Sequence, residues 1–461
     1  MPDPPEPAAD ATRPMPDANP PEPAPDALAA DVAAPAIIAA ARAVRVRGGD
    51  DLQVWAACAG GQEREAAAEL AALGWRASAV RPPRPASQPQ GEAHGLPWER
   101  GSVYGTVDLA TARLTLRAAR TVTRVVWNLG SAEVAGLEDI RGAVRDLDWD
   151  FLPHAPFGVR PERHGEHDFR SPDIGREAGA GVIDAYRART GERLPVDLDD
   201  PAVEIRAELT GERLRVGCDL AGRSLHRRTW IRVHHHASLK PTVAAGLLLL
   251  GGWRADERLL DPLAGGGTIP IEAALAALRR PTGPRLLPRL APLGLDDAGI
   301  AAEVEEALGA AHVPVAPGRP PFDIRGVEKY GRHTSGAQRN LTAAGLRGLV
   351  RVGGGNATRL DDVETVDCAV ANPPYGMRVA SPKVIEPLYR EAIARLAERF
   401  SDRGRAVWLS PSATLVRASA EAVGLEAIAA RRVGLGSIDA VAFVLAPPGR
   451  ADALGLLDPR P

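Results

Sequence analysis

At Asn372-Pro373-Pro374-Tyr375 the chain places an amide, two prolines and an aromatic ring directly after the apolar run Val366-Asp367-Cys368-Ala369-Val370-Ala371. Each proline removes a backbone donor and fixes φ, so the carbonyls of this turn are held stiffly. The Asn372 side-chain oxygen and the Pro373 carbonyl can both accept hydrogen bonds from one exocyclic amine, which draws its lone pair out of conjugation and toward an electrophile. Pro374 stiffens the notch, and Tyr375 offers a stacking face for a base turned out of its helix. The chemistry this suits is direct in-line transfer, in which positioning of the two reactants supplies most of the rate. It requires no metal and no covalent enzyme intermediate. Pro-Pro alone would read as a turn after a buried strand; the asparagine and tyrosine make it a pocket.

A second constellation lies upstream, at Asp261-Pro262-Leu263-Ala264-Gly265-Gly266-Gly267-Thr268. Glycines let a loop turn tightly and let backbone approach a ligand. Thr268 is expected to cap the following helix. The loop has neither the spacing of a dinucleotide fingerprint nor the lysine of a phosphate-binding loop, which disfavours ATP or GTP. Glu328, ending the next expected strand, can accept both hydroxyls of a ribose. Asn356-Ala357, after the strand beyond, can lie over an adenine edge. These features predict a nucleoside-bearing donor, and Asn372 borders it as well as the target.

The elements that must position these residues alternate from Ala237 onward as helix and apolar strand, the pattern of a doubly wound α/β domain. Strands are expected at 258–261, 324–327, 349–352, 366–371 and 405–409, with a closing antiparallel hairpin over 431–445 and an inserted segment over 279–321. Upstream, 52–57 alternates as a strand and 63–73 as a helix ending at Gly74. Val103 to Val107 reads as a strand, and Leu109 to Leu129 as one or two helical segments. A helix at 137–147, a strand at 157–159, a polar loop at 160–169, a helix at 174–190 and a hairpin at 203–218 follow. The expected domains are a Pro/Ala/acidic tail at 1–45, α+β units at 46–136 and 137–228, the α/β domain at 229–450 and a short tail at 451–461.

Composition narrows the class. Three widely spaced cysteines, Cys58, Cys218 and Cys368, in a chain of 461 residues predict neither a disulfide framework nor a cysteine zinc site, and fit a reducing cytoplasm. No apolar run reaches the ~20 residues that span a bilayer, and no secretory signal is read at the N-terminus. The net charge is −3, but seven acids and one base within residues 1–35 leave +3 on the remainder, so local basic faces can form. His234-His235-His236 reads as a loop rather than a metal site. His164, Glu166, His167 and Asp168 read as RNA-facing or hairpin-capping groups rather than ligands.

The pocket residues resemble the class I methyltransferases that use S-adenosylmethionine on amino groups. Leu225-His226-Arg227-Arg228, Ser238-Leu239-Lys240-Pro241-Thr242-Val243-Ala244-Ala245 and Asp261 to Ala274 resemble the THUMP-domain RNA guanine-N2-methyltransferases. Gly165-Glu166-His167-Asp168-Phe169 and Val196-Asp197-Leu198-Asp199-Asp200-Pro201 resemble the THUMP segment, and Ala56 to Glu63 the start of the family's ferredoxin-like domain. The likeness runs from about residue 50 to 446, and is best to the tRNA enzymes that methylate guanosine at position 6 of the acceptor stem. It implies a Rossmann-like methyltransferase domain, with a parallel sheet and a terminal antiparallel hairpin, preceded by ferredoxin-like and THUMP domains that grip tRNA. Cofactor contacts are implied for Lys240, Thr242, Asp261, Pro262, Gly265, Gly267, Thr268, Glu328, Asn356, Ala357 and Asn372. RNA contacts are expected at Arg160, Arg163, His167, Arg227, Arg228 and Arg378. The expected partner is tRNA, with ribosomal RNA as an alternative, and the expected state a monomer with no metal. Rival readings are a DNA adenine or protein glutamine methyltransferase, which shares the tetrapeptide's chemistry, and a non-catalytic RNA-binding protein. Two departures stand out: Asn356 where the family commonly has Asp, and Leu-Ala-Gly-Gly-Gly in the first loop.

Overall fold

A computed structural model describes residues 36–38, 51–79, 101–234, 238–316, 320–376, 382–436 and 438–450. Arg378, His235, His236, the proline-rich stretch 81–97, the last residues from 451 and the expected N-terminal tail other than 36–38 lie outside them. Those three are not a solvated stretch: Ala36, Ile37 and Ile38 are apolar and are buried in the core that covers one face of the C-terminal sheet.

The first sheet begins as β1 (Asp51–Cys58), α1 (Glu63–Ala72), β2 (Arg76–Ala79), β3 (Ser102–Asp108), α2 (Leu109–Ala118) and β4 (Val122–Glu133). Its strand order β2-β3-β1-β4 is that of a ferredoxin-like unit. The helix expected over Leu109 to Leu129 stops at Ala118, because the β-branched run Val122, Thr123, Val125 and Val126 favours an extended chain. α3 (Leu137–Arg145), β5 (Phe157–His164), α4 (Ser171–Thr190), β6 (Val203–Thr210) and β7 (Arg213–Asp219) follow. β4 pairs antiparallel with β7, so one seven-stranded sheet, β2-β3-β1-β4-β7-β6-β5, runs across the expected boundary at 136/137. The segment expected as a polar loop from Arg160 instead continues β5 to His164, in parallel register with β6. Its charges do not prevent this, because Glu162 pairs with Arg206, and Glu204 and Glu208 lie alongside that arginine.

The second sheet comprises β8 (Leu259–Asp261), β9 (Ile324–Glu328), β10 (Arg351–Gly354), β11 (Val366–Ala371), β12 (Phe400–Ser410), β13 (Glu426–Leu435) and β14 (Ile438–Ala446), in the order β10-β9-β8-β11-β12-β14-β13. β8 to β12 are mutually parallel, and β14 enters antiparallel between β12 and β13. α5 (Pro241–Leu250), α6 (Thr268–Ala277), α7 (Ala298–Ala311), α8 (Gly331–Ala343), α9 (Pro382–Arg399) and α10 (Ala413–Glu421) complete the domain. The apolar run Cys368 to Ala371 of β11 is explained by cover on both faces. Cys368 and Val370 join one core and Ala369 and Ala371 the other. The inserted segment carries α7 away from this sheet. Its Leu287, Leu290, Leu293, Val304 and Leu308 share a core with Leu114 and Leu116 of α2.

A buried charge cluster closes the joint between the two sheets. Glu272 of α6 accepts from Arg228 at 3.1 Å, and neither side chain is exposed at all. Arg228 also donates to the Leu225 and Arg120 carbonyls at 2.9 and 2.8 Å. Arg120 lies 3.7 Å from Glu272 and donates to the Leu275 and Arg280 carbonyls. Glu69 of α1 accepts from the Arg120 and Thr121 backbone N–H groups. Arg228, expected as a phosphate contact, is therefore an internal strut, because burial leaves its guanidinium no path to a ligand. Removing one member of such a pair strands the other's charge. Glu272→Ala should lower the free energy of urea unfolding by about 3–5 kcal/mol; a loss below about 1 kcal/mol would show that the cluster does not hold the joint.

Candidate active site

In a parallel sheet, ligands collect at the carboxyl ends of the strands, where the strand order reverses. Here the reversal lies between β8 and β11, neighbours through Cys368↔Leu259 and Ala369↔Leu260. The singled-out residues then fall in spatial order along one rim. Asn356 and Ala357 follow β10, Glu328 ends β9, Asp261 and the glycine loop end β8, and Asn372 to Tyr375 follow β11. Three strand steps separate the ends of that row, roughly 14 Å at the usual interstrand spacing, a length suited to a nucleoside with a short side chain.

The glycine loop is built by its backbone. Gly265 and Gly267 have φ of 51° and 79°, a region costly for other residues. A Cβ on Gly265 would meet nothing within 4 Å, so the space over the loop is bordered there by backbone alone. The left-handed Gly267 is the N-cap of α6; Thr268, expected in that role, is the first residue of the helix. Glu328, nearly buried, accepts from the Gly265 N–H through one oxygen and from the Tyr330 N–H through the other, each at 2.9 Å. It thus sets the loop's height; His333 Nδ1 lies 3.3 Å from the oxygen that accepts Tyr330, and the oxygen that accepts Gly265 keeps a lone pair for a hydroxyl donor. Asn356 accepts the Thr358 N–H at 3.1 Å, a turn that Asp would make equally well. Ala357 is buried beside it.

Thr242 lies in the first turn of α5, and its hydroxyl is buried with no hydrogen-bond partner among the described residues. Lys240 is exposed just before that helix, and its carbonyl accepts the Val243 and Ala244 N–H groups. The open backbone cradle, the orphan hydroxyl and the ribose-type carboxylate fit a nucleoside carrying a charged amino-acid tail.

At the target side, Asn372 is half-buried and Pro373 buried. The Tyr375 hydroxyl donates to Asn372 Oδ1 at 2.5 Å. The acceptor expected to take the target amine is thus engaged by the tyrosine expected to stack on the base. Burial raises the Tyr375 pKa, followed by its proximity to Tyr389, so the hydroxyl stays a donor.

Sequence reasoning missed several supporting groups. Asn340 of α8 accepts the Arg232 and Val233 N–H groups at 2.8 and 3.0 Å and donates to the Gly266 carbonyl at 3.0 Å. It ties the segment leading from the first sheet to the glycine loop. A polar residue on the same helical face as the buried Gly336, Ala337 and Leu341 was its available signal, since a buried amide needs partners. Tyr389 and Ser410 sit behind the tetrapeptide; Tyr389, spaced with Ile385 and Ile393, reads as plain core.

The expected RNA contacts are dispersed. Arg160, Arg163 and His167 lie on β5 and the loop after it, in the sheet that does not carry the pocket. His167 Nε2 is 2.8 Å from the Gly211 carbonyl, tying the β6–β7 hairpin, and Arg160 is 3.4 Å from Glu204. Arg227 is exposed between the sheets. Among the described residues no group of three or more His, Cys, Asp or Glu could hold a metal ion, and no helix is long and apolar enough to cross a membrane.

Asp261 is almost completely buried, and accepts the Leu263 N–H at 3.0 Å. Burial pushes its pKa from 3.8 up to about 8, and the nearby Glu328 charge adds to the rise. The folded chain therefore keeps a proton that the unfolded chain releases. This contribution to stability is complete below pH about 4 and is lost as pH rises toward about 8. Asp261→Asn should flatten that part of a melting-midpoint profile taken from pH 4 to 9; an unchanged slope would overturn the assignment.

Comparison with known proteins agrees with this architecture. A family model described as an RMKL-like methyltransferase domain matches residues 228–440, and a THUMP-domain model matches residues 134–219. The tRNA (guanine(6)-N2)-methyltransferase of Archaeoglobus fulgidus is 35% identical over 341 residues, covering 74% of this chain and 82% of its own. That of Methanocaldococcus jannaschii is 33% identical, covering 65% of this chain and 79% of its own. A ribosomal RNA large subunit methyltransferase K/L of Chromohalobacter salexigens is 33% identical, but this chain spans 42% of its length. Among solved structures, a methyltransferase complexed with SAH superposes with a TM-score of 0.69 at 21% identity, covering 87% of this chain and 99% of that one. TrmN from Thermus thermophilus gives 0.60 at 24%, covering 86% and 99%. These structures share the fold of a ferredoxin-like and THUMP sheet joined to a Rossmann-like domain, and the identities over most of the chain show that it belongs to the family of THUMP-domain tRNA (guanine(6)-N2)-methyltransferases.

Proposed function

We propose that this chain transfers a methyl group from S-adenosylmethionine to the exocyclic 2-amino group of a guanosine in tRNA, at position 6 of the acceptor stem. The observation that carries the reading is the order of groups along the rim: an adenine-side turn, a ribose carboxylate, an open glycine cradle, then the Asn-Pro-Pro-Tyr notch. S-adenosylmethionine supplies an electrophilic methyl group on a sulfonium. Glu328 receives the ribose hydroxyls and holds the glycine loop. Lys240 and Thr242, at the start of α5, face the charged tail, with Asp261, Pro262, Gly265, Gly267 and Thr268 forming the floor and Asn356 and Ala357 the adenine end.

Asn372 Oδ1 and the Pro373 carbonyl draw the two amine protons to themselves. The nitrogen lone pair then leaves the ring's π system and points at the methyl carbon. Tyr375 gives up its bond to Asn372 as the amine arrives, and its ring covers the flipped base. As the new N–C bond forms, the C–S bond breaks and the extra amine proton passes to solvent. Arg160, Arg163, His167, Arg227 and Arg378 are assigned to phosphates, the basic groups that hold an RNA in register.

The tRNA reading is favoured over ribosomal RNA because the two tRNA relatives are matched over most of their length and the K/L relative over less than half. Cys218 and Cys368 are buried free thiols, and this supports a reducing cytoplasm. A monomer suffices, since all the residues assigned to the pocket come from one domain of one chain.

Labelled methyl transfer to an unmodified tRNA transcript, to DNA duplex and to a protein glutamine substrate, followed by nucleoside analysis, should give N2-methylguanosine in the tRNA alone; label elsewhere rejects the assignment. Asn372→Ala should lower turnover at least about a hundredfold with the calorimetric Kd for S-adenosylmethionine within about twofold of wild type. Glu328→Ala should instead raise that Kd at least about tenfold, because it removes charge-assisted bonds. Retained turnover in the first variant, or an unchanged Kd in the second, rejects the corresponding role.

A further inference from the structure

Behind the tetrapeptide lies a chain of hydroxyl groups that the reaction as described does not use. The Tyr389 hydroxyl, on α9, is 3.2 Å from the Pro374 carbonyl and 3.0 Å from Ser410 Oγ. Ser410 Oγ in turn accepts the Ser412 N–H at 3.0 Å. Both residues are fully buried, and the Tyr389 ring packs edge-on against Trp408 with centroids 5.3 Å apart. The proton directions follow from counting. A carbonyl can only accept, so Tyr389 commits its single proton to Pro374. Ser410 must therefore donate its own proton to the Tyr389 oxygen. Burial lifts the Tyr389 pKa to about 12, so its proton is kept at any working pH.

Resting on the reading that Asn372 orients the target amine, we infer that Tyr389, oriented by Ser410, is a positioning residue for methyl transfer. In Asn372-Pro373-Pro374-Tyr375 the two proline rings fix two φ angles, leaving the ψ angles as the soft torsions. The Pro374 ψ decides where its carbonyl points and where Tyr375 goes next. The bond from Tyr389 holds that carbonyl and so sets the place from which the Tyr375 ring reaches Asn372 and covers the base. The anchor is well founded: Ser410 ends β12, which runs parallel to β11 with Ala371 opposite Trp408. The turn after one strand is thereby fastened to the end of its neighbour. Neither Tyr389 nor Ser410 touches the reacting atoms.

Tyr389→Phe keeps the ring and its contact with Trp408 but removes the bond to Pro374. It should lower kcat about tenfold, the worth of one buried hydrogen bond, with KM for an unmodified tRNA transcript and the Kd for S-adenosylmethionine within about twofold of wild type. Ser410→Ala should lower kcat less, and the double variant should be no slower than Tyr389→Phe, because the serine acts only through the tyrosine. A wild-type kcat in Tyr389→Phe overturns the inference, as does a parallel loss of kcat and cofactor affinity, or multiplicative effects in the double variant. Asn372→Ala measured alongside separates the two claims: turnover retained there rejects the pocket itself, whereas an inactive Asn372→Ala beside a fully active Tyr389→Phe rejects the anchor alone.

Discussion

The arrangement depends on the parallel pairing of β8 with β11 at the centre of the C-terminal sheet. The glycine loop and the Asn-Pro-Pro-Tyr turn are far apart in the chain, yet each leaves the carboxyl end of one of these two strands. Helices on both faces bury the strands completely, so their register is set by packing rather than by the loops. A register slip would separate the glycine loop from the Asn-Pro-Pro-Tyr turn. Glu328, arriving on the next strand, then adjusts the loop through a single backbone bond to Gly265.

A second constraint joins this sheet to the first. Two guanidinium and two carboxylate groups, from α1, the α2–β4 connection, the chain before the Rossmann-like domain and α6, share one buried junction. Such a cluster adds little net stability over an apolar one, but it strongly penalises arrangements that leave a charge unpaired. It therefore specifies how the sheets meet. Close backbone contact does the same at the other side of the joint. The Gly434 N–H bonds to the Gly60 carbonyl at 2.8 Å, and a Cβ on Gly61 would lie 1.5 Å from the Arg432 carbonyl oxygen. The inserted segment adds to this grip by packing α7 on α2. Asn340 carries the same connection through to the glycine loop.

The turns to which the chemistry is assigned were visible as turns because they rely on local properties: proline's fixed φ, glycine's left-handed conformation, a carboxylate ending a strand. Positions whose role depends on what packs over them were not. Arg228 reads as a surface cation until α6 brings Glu272 against it. Tyr389 reads as core until the Pro374 carbonyl arrives above its hydroxyl. Val122 to Trp127 follows a helix without a turn signal, and its β-branched residues become a strand where β1 and β7 pair with it. β5 likewise continues through charged residues because β6 supplies countercharges on the same face.

By itself the sequence determined the order of most elements, the two turns proposed for the chemistry and the residue types within them, since torsional limits and hydrophobic periodicity act over a few residues. Tertiary structure alone decided which of those groups meet. It placed four strand ends in one row, made one expected phosphate contact an internal strut, and gave Asn372 its tyrosine and Pro374 its anchor. Hydrogen bonds and charge pairs depend on direction and distance, and residues remote in the chain acquire both only when the sheet has closed.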